Sequence, residues 1–325
     1  MNSFNKLIKT LENEMDKVNE IIYERMNSKN APRIPEITKH LIDAGGKRIR
    51  PLLTIASSQL FNYTGDNHFK LAATVEFIHT ATLLHDDVID ESSKRRGKTT
   101  ANLLWDNKSS VLVGDYLFAK SFELMVETNS IDVLNTLSSA SAKISESEII
   151  QLSKINDVKL SLNNYMDIIG GKTASLFSAA CEVGGIISNA NKKEINHLKK
   201  FGNSIGLGFQ IIDDLLDYDG DDSLGKNIGD DFREQKITLP VILSLKKNNI
   251  NNNNFWKKAF TNKELNHEDF LKAKNILQKD GSLEDTKKVA SKFIDDAKKS
   301  LKELPNGEIN ALLNGLASEI ILRFK

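Results

Sequence analysis

One cysteine in 325 residues, Cys181, leaves no room for a disulfide framework or a cysteine-ligated zinc cluster and fits a reducing compartment. Beside Gly184-Gly185, Cys181 reads as a small buried residue rather than a nucleophile. Prolines number only five, so long stretches are free to be helical. Net charge is absent, with 44 Lys and Arg against 44 Asp and Glu. That argues against bulk binding of nucleic acid and leaves only local basic patches. No apolar run reaches the roughly 18 residues of a membrane span. The charged start, MNSFNKLIKTLENEMDKV, lacks the apolar stretch of a signal peptide. A soluble, cytoplasmic protein is expected, one that an apolar substrate could still bring to a membrane surface.

What is present is helical periodicity. Phe4, Leu7, Ile8, Leu11, Met15, Val18 and Ile22 recur at helix spacing. The segments around 70–90, 111–127, 131–152, 164–182, 193–217 and 285–303 also read as helices. Alternating strand patterns are scarce, and nothing resembles an interdomain linker, so one all-α domain over 1–325 is expected. Gly45-Gly46-Lys47-Arg48-Ile49-Arg50-Pro51 predicts a helix end, a basic connector and a proline opening the next helix. Asp219 to Lys226 and the asparagine tract 248–254 read as loops.

Two copies of one acidic pattern carry the chemistry: Asp86-Asp87-Val88-Ile89-Asp90 and Asp213-Asp214-Leu215-Leu216-Asp217. On a helix, positions i, i+1 and i+4 fall on or near one face. Both copies sit among apolar residues, where unpaired charge is rare. Two facing carboxylate sets would repel without cations between them, and all-oxygen ligands suit Mg2+, completed by water and substrate phosphates. A single such pattern is more often a solvated helix face. Asp295-Asp296, with Lys299 at the helical neighbour position, is read that way. Basic residues cluster at Lys47-Arg48-Arg50, Arg95-Arg96, Lys172, and Lys226 with Lys236. Beside metal ligands they suit phosphate oxygens, as arginine forks and lysine point charges. His79 lies two turns before Asp86. Gly171-Lys172-Thr173 ends like a phosphate loop but holds Met166 where a glycine is required.

In combination these motifs resemble the trans-isoprenyl diphosphate synthases, or polyprenyl synthetases. The resemblance rests on GGKRIRP (45–51), EFIHTATLLHDDVIDES (76–92), RRG (95–97), GKTASLF (171–177), GFQIIDDLLDY (208–218), LGKNIGDD (224–231) and KITLP (236–240). It implies an all-helical isoprenoid synthase bundle around a deep central cavity, and a homodimer. It implies that Asp86, Asp87, Asp90, Asp213, Asp214 and Asp217 bind three Mg2+ ions. Arg95, Lys172 and Lys236 would hold an allylic diphosphate, with Thr173, Gln210 and Lys226 nearby. Lys47, Arg50, His79 and Arg96 would hold isopentenyl diphosphate. Successive condensations would then lengthen the chain, with a quinone side chain as the expected destination.

Product length should depend on what blocks the channel one turn before Asp86, where Ala81 and Thr82 are both small. In the family that the chain resembles, aromatic residues at these places give short products, so the resemblance implies a long product here, octaprenyl to decaprenyl, with Phe122 and Met125 as a deeper floor. A class I cyclase would carry a different second metal motif. A regulatory subunit would have lost acidic or basic residues that this chain keeps.

Overall fold

The periodicity of the opening segment is realised as two helices, α1 (Ser3–Thr10) and α2 (Glu12–Arg25), broken at Leu11. The structure, a computed structural model, describes residues 1–220, 228–261 and 265–322. There follow α3 (Arg33–Asp43), α4 (Ile49–Gln59) and α5 (Asn67–Ile89). A two-stranded ribbon, β1 (Lys94–Arg95) and β2 (Lys98–Thr99), precedes α6 (Ala101–Leu104), α7 (Asn107–Glu127) and α8 (Ile131–Ser153). α9 (Leu162–Ile169) passes through a π-helical turn, Gly170–Ala174, into α10 (Ser175–Ile187). The rest is α11 (Lys192–Asp219), α12 (Asp230–Arg233), α13 (Leu239–Lys246), α14 (Ile250–Ala259), α15 (His267–Lys279), α16 (Ser282–Leu301) and α17 (Glu308–Leu322). The all-helical expectation holds.

Two helices dominate the interior. α5 is apolar nearly all round and packs on α4, α7 and α10, as a central helix must. α11 packs on α10 and α16, and starts at a capping box in which Glu194 N–H donates to the Asn191 side chain at 3.0 Å. The main apolar core runs from Leu7 to Ile320. A second cluster joins Leu71, Val75 and Ile78 of α5, Met125 of α7, Val133 and Ile144 of α8, and Leu176 of α10. None of the described helices is long and apolar enough to cross a membrane.

Two expectations are corrected. The asparagine tract is not a loop: Asn249 caps α14, accepting from Asn252 N–H at 3.2 Å, and the helix starts at Ile250. The fully buried Trp256, whose indole N–H donates to Ser244 at 2.9 Å, anchors that helix. The expected helix over 164–182 is also not one regular helix, because the π-turn divides it. Gly171 presses against α8 there; a Cβ would meet the Ser147 side chain and the Lys143 carbonyl. The loop predicted after Asp219 falls mostly outside the described residues.

Candidate active site

Both acidic motifs open into one cavity of about 790 Å3. On α5 and its C-cap the wall is a stripe of Glu76, His79, Thr82, Asp86 and Asp90, spaced three or four residues apart, with Leu83 beside it. On α11 it is Phe209, Gln210, Asp213, Asp214, Leu216 and Asp217. The geometry corrects one part of the motif reading. Asp87, one residue and about 100° round the helix from Asp86, does not line the cavity. It is fully buried. Its Oδ1 accepts from Arg95 Nε at 2.7 Å and pairs with Nη2 at 2.6 Å, while its Oδ2 has no partner. Burial raises the Asp87 carboxyl above the usual range, against the pull of Arg95.

Arg95 and Arg96 owe their positions to the ribbon. Lys94 pairs with Thr99 and Arg95 with Lys98, so Arg96-Gly97 is a two-residue turn. Both turn residues have positive φ, 52° and 78°, as type I′ requires. Arg95 is thereby sent to Asp87, and Arg96 back to the Gly45 carbonyl. Gly46, at φ 150°, lets the Arg96 guanidinium lie against its backbone; a Cβ there would come within 2.6 Å of it. Arg50 is half-buried with its guanidinium 4.5 Å from the centre of the Phe177 ring, and its Nε has no partner. Burial lowers Arg50 to about 10, with Glu76 opposing. Glu76 itself is raised by burial, despite Arg48, Arg50 and Arg96. His79 is held well below the usual imidazole range by burial and by Arg50, Arg96 and Arg95, so it is neutral at pH 7. Lys47 also reaches the cavity wall. This end of the cavity is strongly cationic and only partly compensated.

At the other end, the π-turn aims Lys172 and Thr173 into the cavity together. Such turns often mark functional sites. Lys172 Nζ sits 2.7 Å from Glu148 and 3.0 Å from Gln151, both on α8. Thr173 donates to Gln210 Oε1 at 2.6 Å, and Gln210 Nε2 donates to Asp214 Oδ1 at 2.8 Å. Tyr165 of α9 donates to Asp214 Oδ2 at 2.6 Å. Asp217 accepts from the Asp230 and Asp231 N–H groups at 3.1 and 3.2 Å, capping α12. Lys236 bridges Asp90 at 3.1 Å and Glu234 at 2.7 Å. Although burial works against its charge, those carboxylates hold it above the usual lysine range. Lys226 lies outside the described residues.

The donor set fits a hard divalent cation. Burial pushes Asp86 to about 6 and Asp214 to about 7, the latter helped by Asp231 and Asp213. A divalent cation beside these carboxylates would favour their ionised form. Among the described residues, no three carboxylates or imidazoles close round one point. The protein offers an open arrangement whose remaining coordination would come from water and phosphate oxygens, the habit of Mg2+.

The positions assigned to the product channel separate. Thr82, one full turn before Asp86, lines the cavity, and its hydroxyl donates to the His79 carbonyl at 2.8 Å. Ala81 does not line it; a further 100° round the helix, it is packed in the core. Phe122 is 43% exposed on the outer face of α7, the wrong side for a floor. Met125 is buried in the second cluster, which reaches the cavity through Ile144. Asp296 pairs with Lys299 at 2.8 Å on the surface, as read from sequence. Cys181 is buried and its thiol is pushed up to about 12 by burial, so it is inert. Sequence reasoning missed Glu76, Glu148, Gln151 and Tyr165. Glu76 is one turn before His79 and could have been found by extending the stripe; the other three carry no local signal.

The polyprenyl synthetase profile matches residues 31–277. The chain is 40% identical to octaprenyl diphosphate synthase of Escherichia coli, over 95% of this chain and 96% of the relative. Among solved structures it is similar to a decaprenyl diphosphate synthase from Rhodobacter capsulatus, with TM-score 0.95 and 49% identity over 99% of both chains. A polyprenyl synthase from Caulobacter crescentus, complexed with calcium and isoprenyl diphosphate, has TM-score 0.95 and 44% identity over 100% of this chain and 99% of that one.

Proposed function

The chain belongs to the polyprenyl synthetase family of prenyltransferases, and from that premise we propose that it is a long-chain all-trans polyprenyl diphosphate synthase. It condenses isopentenyl diphosphate repeatedly onto an allylic diphosphate of the geranyl or farnesyl type, giving an octaprenyl to decaprenyl product. The observation that carries this reading is the meeting of both acidic motifs and both groups of cationic side chains on one cavity.

In this reading Arg95, Lys172 and Lys236 hold the allylic diphosphate, with Thr173, Gln210 and Lys226 beside it. Lys47, Arg50, His79 and Arg96 hold isopentenyl diphosphate. The allylic C1–O bond breaks with its electron pair leaving on diphosphate. The isopentenyl double bond supplies the pair for the new C–C bond, and the proton then lost from that unit goes to the released diphosphate. Preformed cations opposite the leaving oxygens lower the barrier because they need no reorganisation. Neutral His79 offers hydrogen bonds without adding charge. Leu83, Phe177 and Phe209 line the cavity with apolar surface, which keeps water from quenching the allylic cation. Three Mg2+ ions held by Asp86, Asp90, Asp213, Asp214 and Asp217 would supply Lewis-acid stabilisation of the departing diphosphate. Asp87 serves that group indirectly, by fixing Arg95.

A homodimer is part of the proposal. Val111, Leu112, Phe122 and Val126 expose apolar surface along α7, and Ile131, Ile149 and Ile150 along α8. Large apolar side chains exposed on two successive helices suit a self-complementary interface. We place the enzyme in the cytoplasm, touching membrane only as product leaves, and assign the product to a quinone side chain.

The test is incubation of the purified chain with Mg2+, farnesyl diphosphate and labelled isopentenyl diphosphate, with the product resolved by reversed-phase chromatography. A linear product of forty to fifty carbons, about eight to ten isoprene units, is expected. Cyclic hydrocarbon, or no incorporation, would overturn the proposal, and a twenty-carbon product would make it a geranylgeranyl synthase.

A further inference from the structure

We propose that Tyr165 is a positioning residue for the second acidic motif: with Gln210 it clamps both oxygens of Asp214, while Gln210, so held, sets which way the Thr173 hydroxyl points. The inference rests on the reading of Asp214 as a cation-facing carboxylate and deepens it. No sequence motif includes Tyr165, which is 49 residues from Asp214.

An ionised carboxylate only accepts hydrogen bonds. The two donors on Asp214 therefore fix everything upstream. Tyr165 donates to Oδ2 at 2.6 Å, and Gln210, facing the other oxygen, can offer it only its amide N–H, which reaches Oδ1 at 2.8 Å. That leaves the Gln210 carbonyl oxygen facing Thr173, whose hydroxyl donates to it at 2.6 Å. The Thr173 hydrogen is thereby directed to Gln210. Each Asp214 oxygen retains acceptor capacity for a cation, because each accepts only one of these bonds. Tyr165 also spans the π-turn. It stands on α9, before the turn, and bonds to α11, on which the turn packs. The turn bearing Lys172 and Thr173 is thus held to the acidic helix from its N-terminal side by this bond and within itself by Thr173. Tyr165 is 3% exposed, so phenylalanine would keep the packing and delete only the donor.

Outer partners of ligating carboxylates typically change metal affinity by about 10- to 100-fold. The experiment is a Mn2+ titration of the full chain, followed by electron paramagnetic resonance with inorganic pyrophosphate present. Wild type, Tyr165→Phe and Gln210→Met are compared, along with thermal melting without metal. Tyr165→Phe is expected to bind Mn2+ about 10-fold more weakly. Its melting temperature should shift by only a few degrees, and its activity should recover partly at high Mg2+. Gln210→Met should weaken binding similarly, with the double variant losing less than the product of the two. Mn2+ binding by Tyr165→Phe equal to wild type would overturn the inference. So would loss of its cooperative melt, because the hydroxyl would then serve the fold rather than the site. If wild type itself bound no Mn2+ with pyrophosphate, the synthase reading would fail instead.

Discussion

Asp87 and Arg95 form a side-on pair in which two guanidinium nitrogens reach the same carboxylate oxygen, at 2.7 and 2.6 Å, and the other oxygen has no partner. The second aspartate of the first motif is therefore engaged with the ribbon, while Asp86 and Asp90 face the cavity. Arg95→Leu would leave a buried carboxylate without its cation. Because Arg95 is 26% exposed, the loss should fall below that of a fully buried pair, at about 2 kcal/mol. Turnover should drop about 100-fold or more. Asp87→Asn should lower stability less than Arg95→Leu, since the charge it leaves unpaired, on Arg95, keeps partial contact with water. Chemical denaturation and steady-state kinetics check both, and equal stability of Arg95→Leu and wild type would remove the pair from the account.

Asp86→Ala and Asp214→Ala should each lower turnover by about three orders of magnitude, the scale of losing a charge-stabilising group. Chelation should abolish activity in wild type, and added Mg2+ should restore it. Near-normal rates in either variant would take that residue out of the ion site.

Lys172 is seated by Glu148 and Gln151 at 2.7 and 3.0 Å. Lys172→Ala should reduce kcat/KM about 100-fold or more. Lys172→Arg should recover only part of it, because a planar fork does not fit a slot shaped for a point charge. Full recovery by arginine would mean that charge alone matters.

Ala81 and Thr82 should respond differently to an aromatic ring. Thr82→Phe places the ring in the cavity and should shorten the product while leaving the melting temperature near wild type. Ala81→Phe must displace core neighbours, costing about 1–3 kcal/mol. Product chromatography and thermal melts distinguish them; an unshortened product from Thr82→Phe would remove Thr82 from the channel.

The raised carboxyls set a pH dependence for the protein without metal. Asp86, at about 6, and Asp214, at about 7, exceed the roughly 3.9 of an unfolded aspartate. Protons are therefore held more tightly by the folded state. Their contribution to stability is complete below about pH 4 and is lost as pH rises through 6 to 7. Because a bound cation requires ionised ligands, Mg2+ with pyrophosphate should raise the melting temperature more at pH 8 than at pH 5. An equal rise at both would argue against these two groups as ligands.

Residue spacing by itself determined most of the helices, both acidic motifs, the reading of Asp296 as a surface partner of Lys299, and the four clusters of cations. Those features follow from local periodicity and charge, which a linear chain displays. The tertiary structure decided the rest. A 100° step per residue turned Asp87 to Arg95 and Ala81 into the core, and sequence spacing of one could not say which neighbour won. A burial demand from Trp256 made a helix of an asparagine tract. The packing of Gly171 on Ser147 put a π-turn under Lys172. Tyr165, Glu148 and Gln151 joined the site across long separations, through contacts that exist only once α8, α9 and α11 have packed.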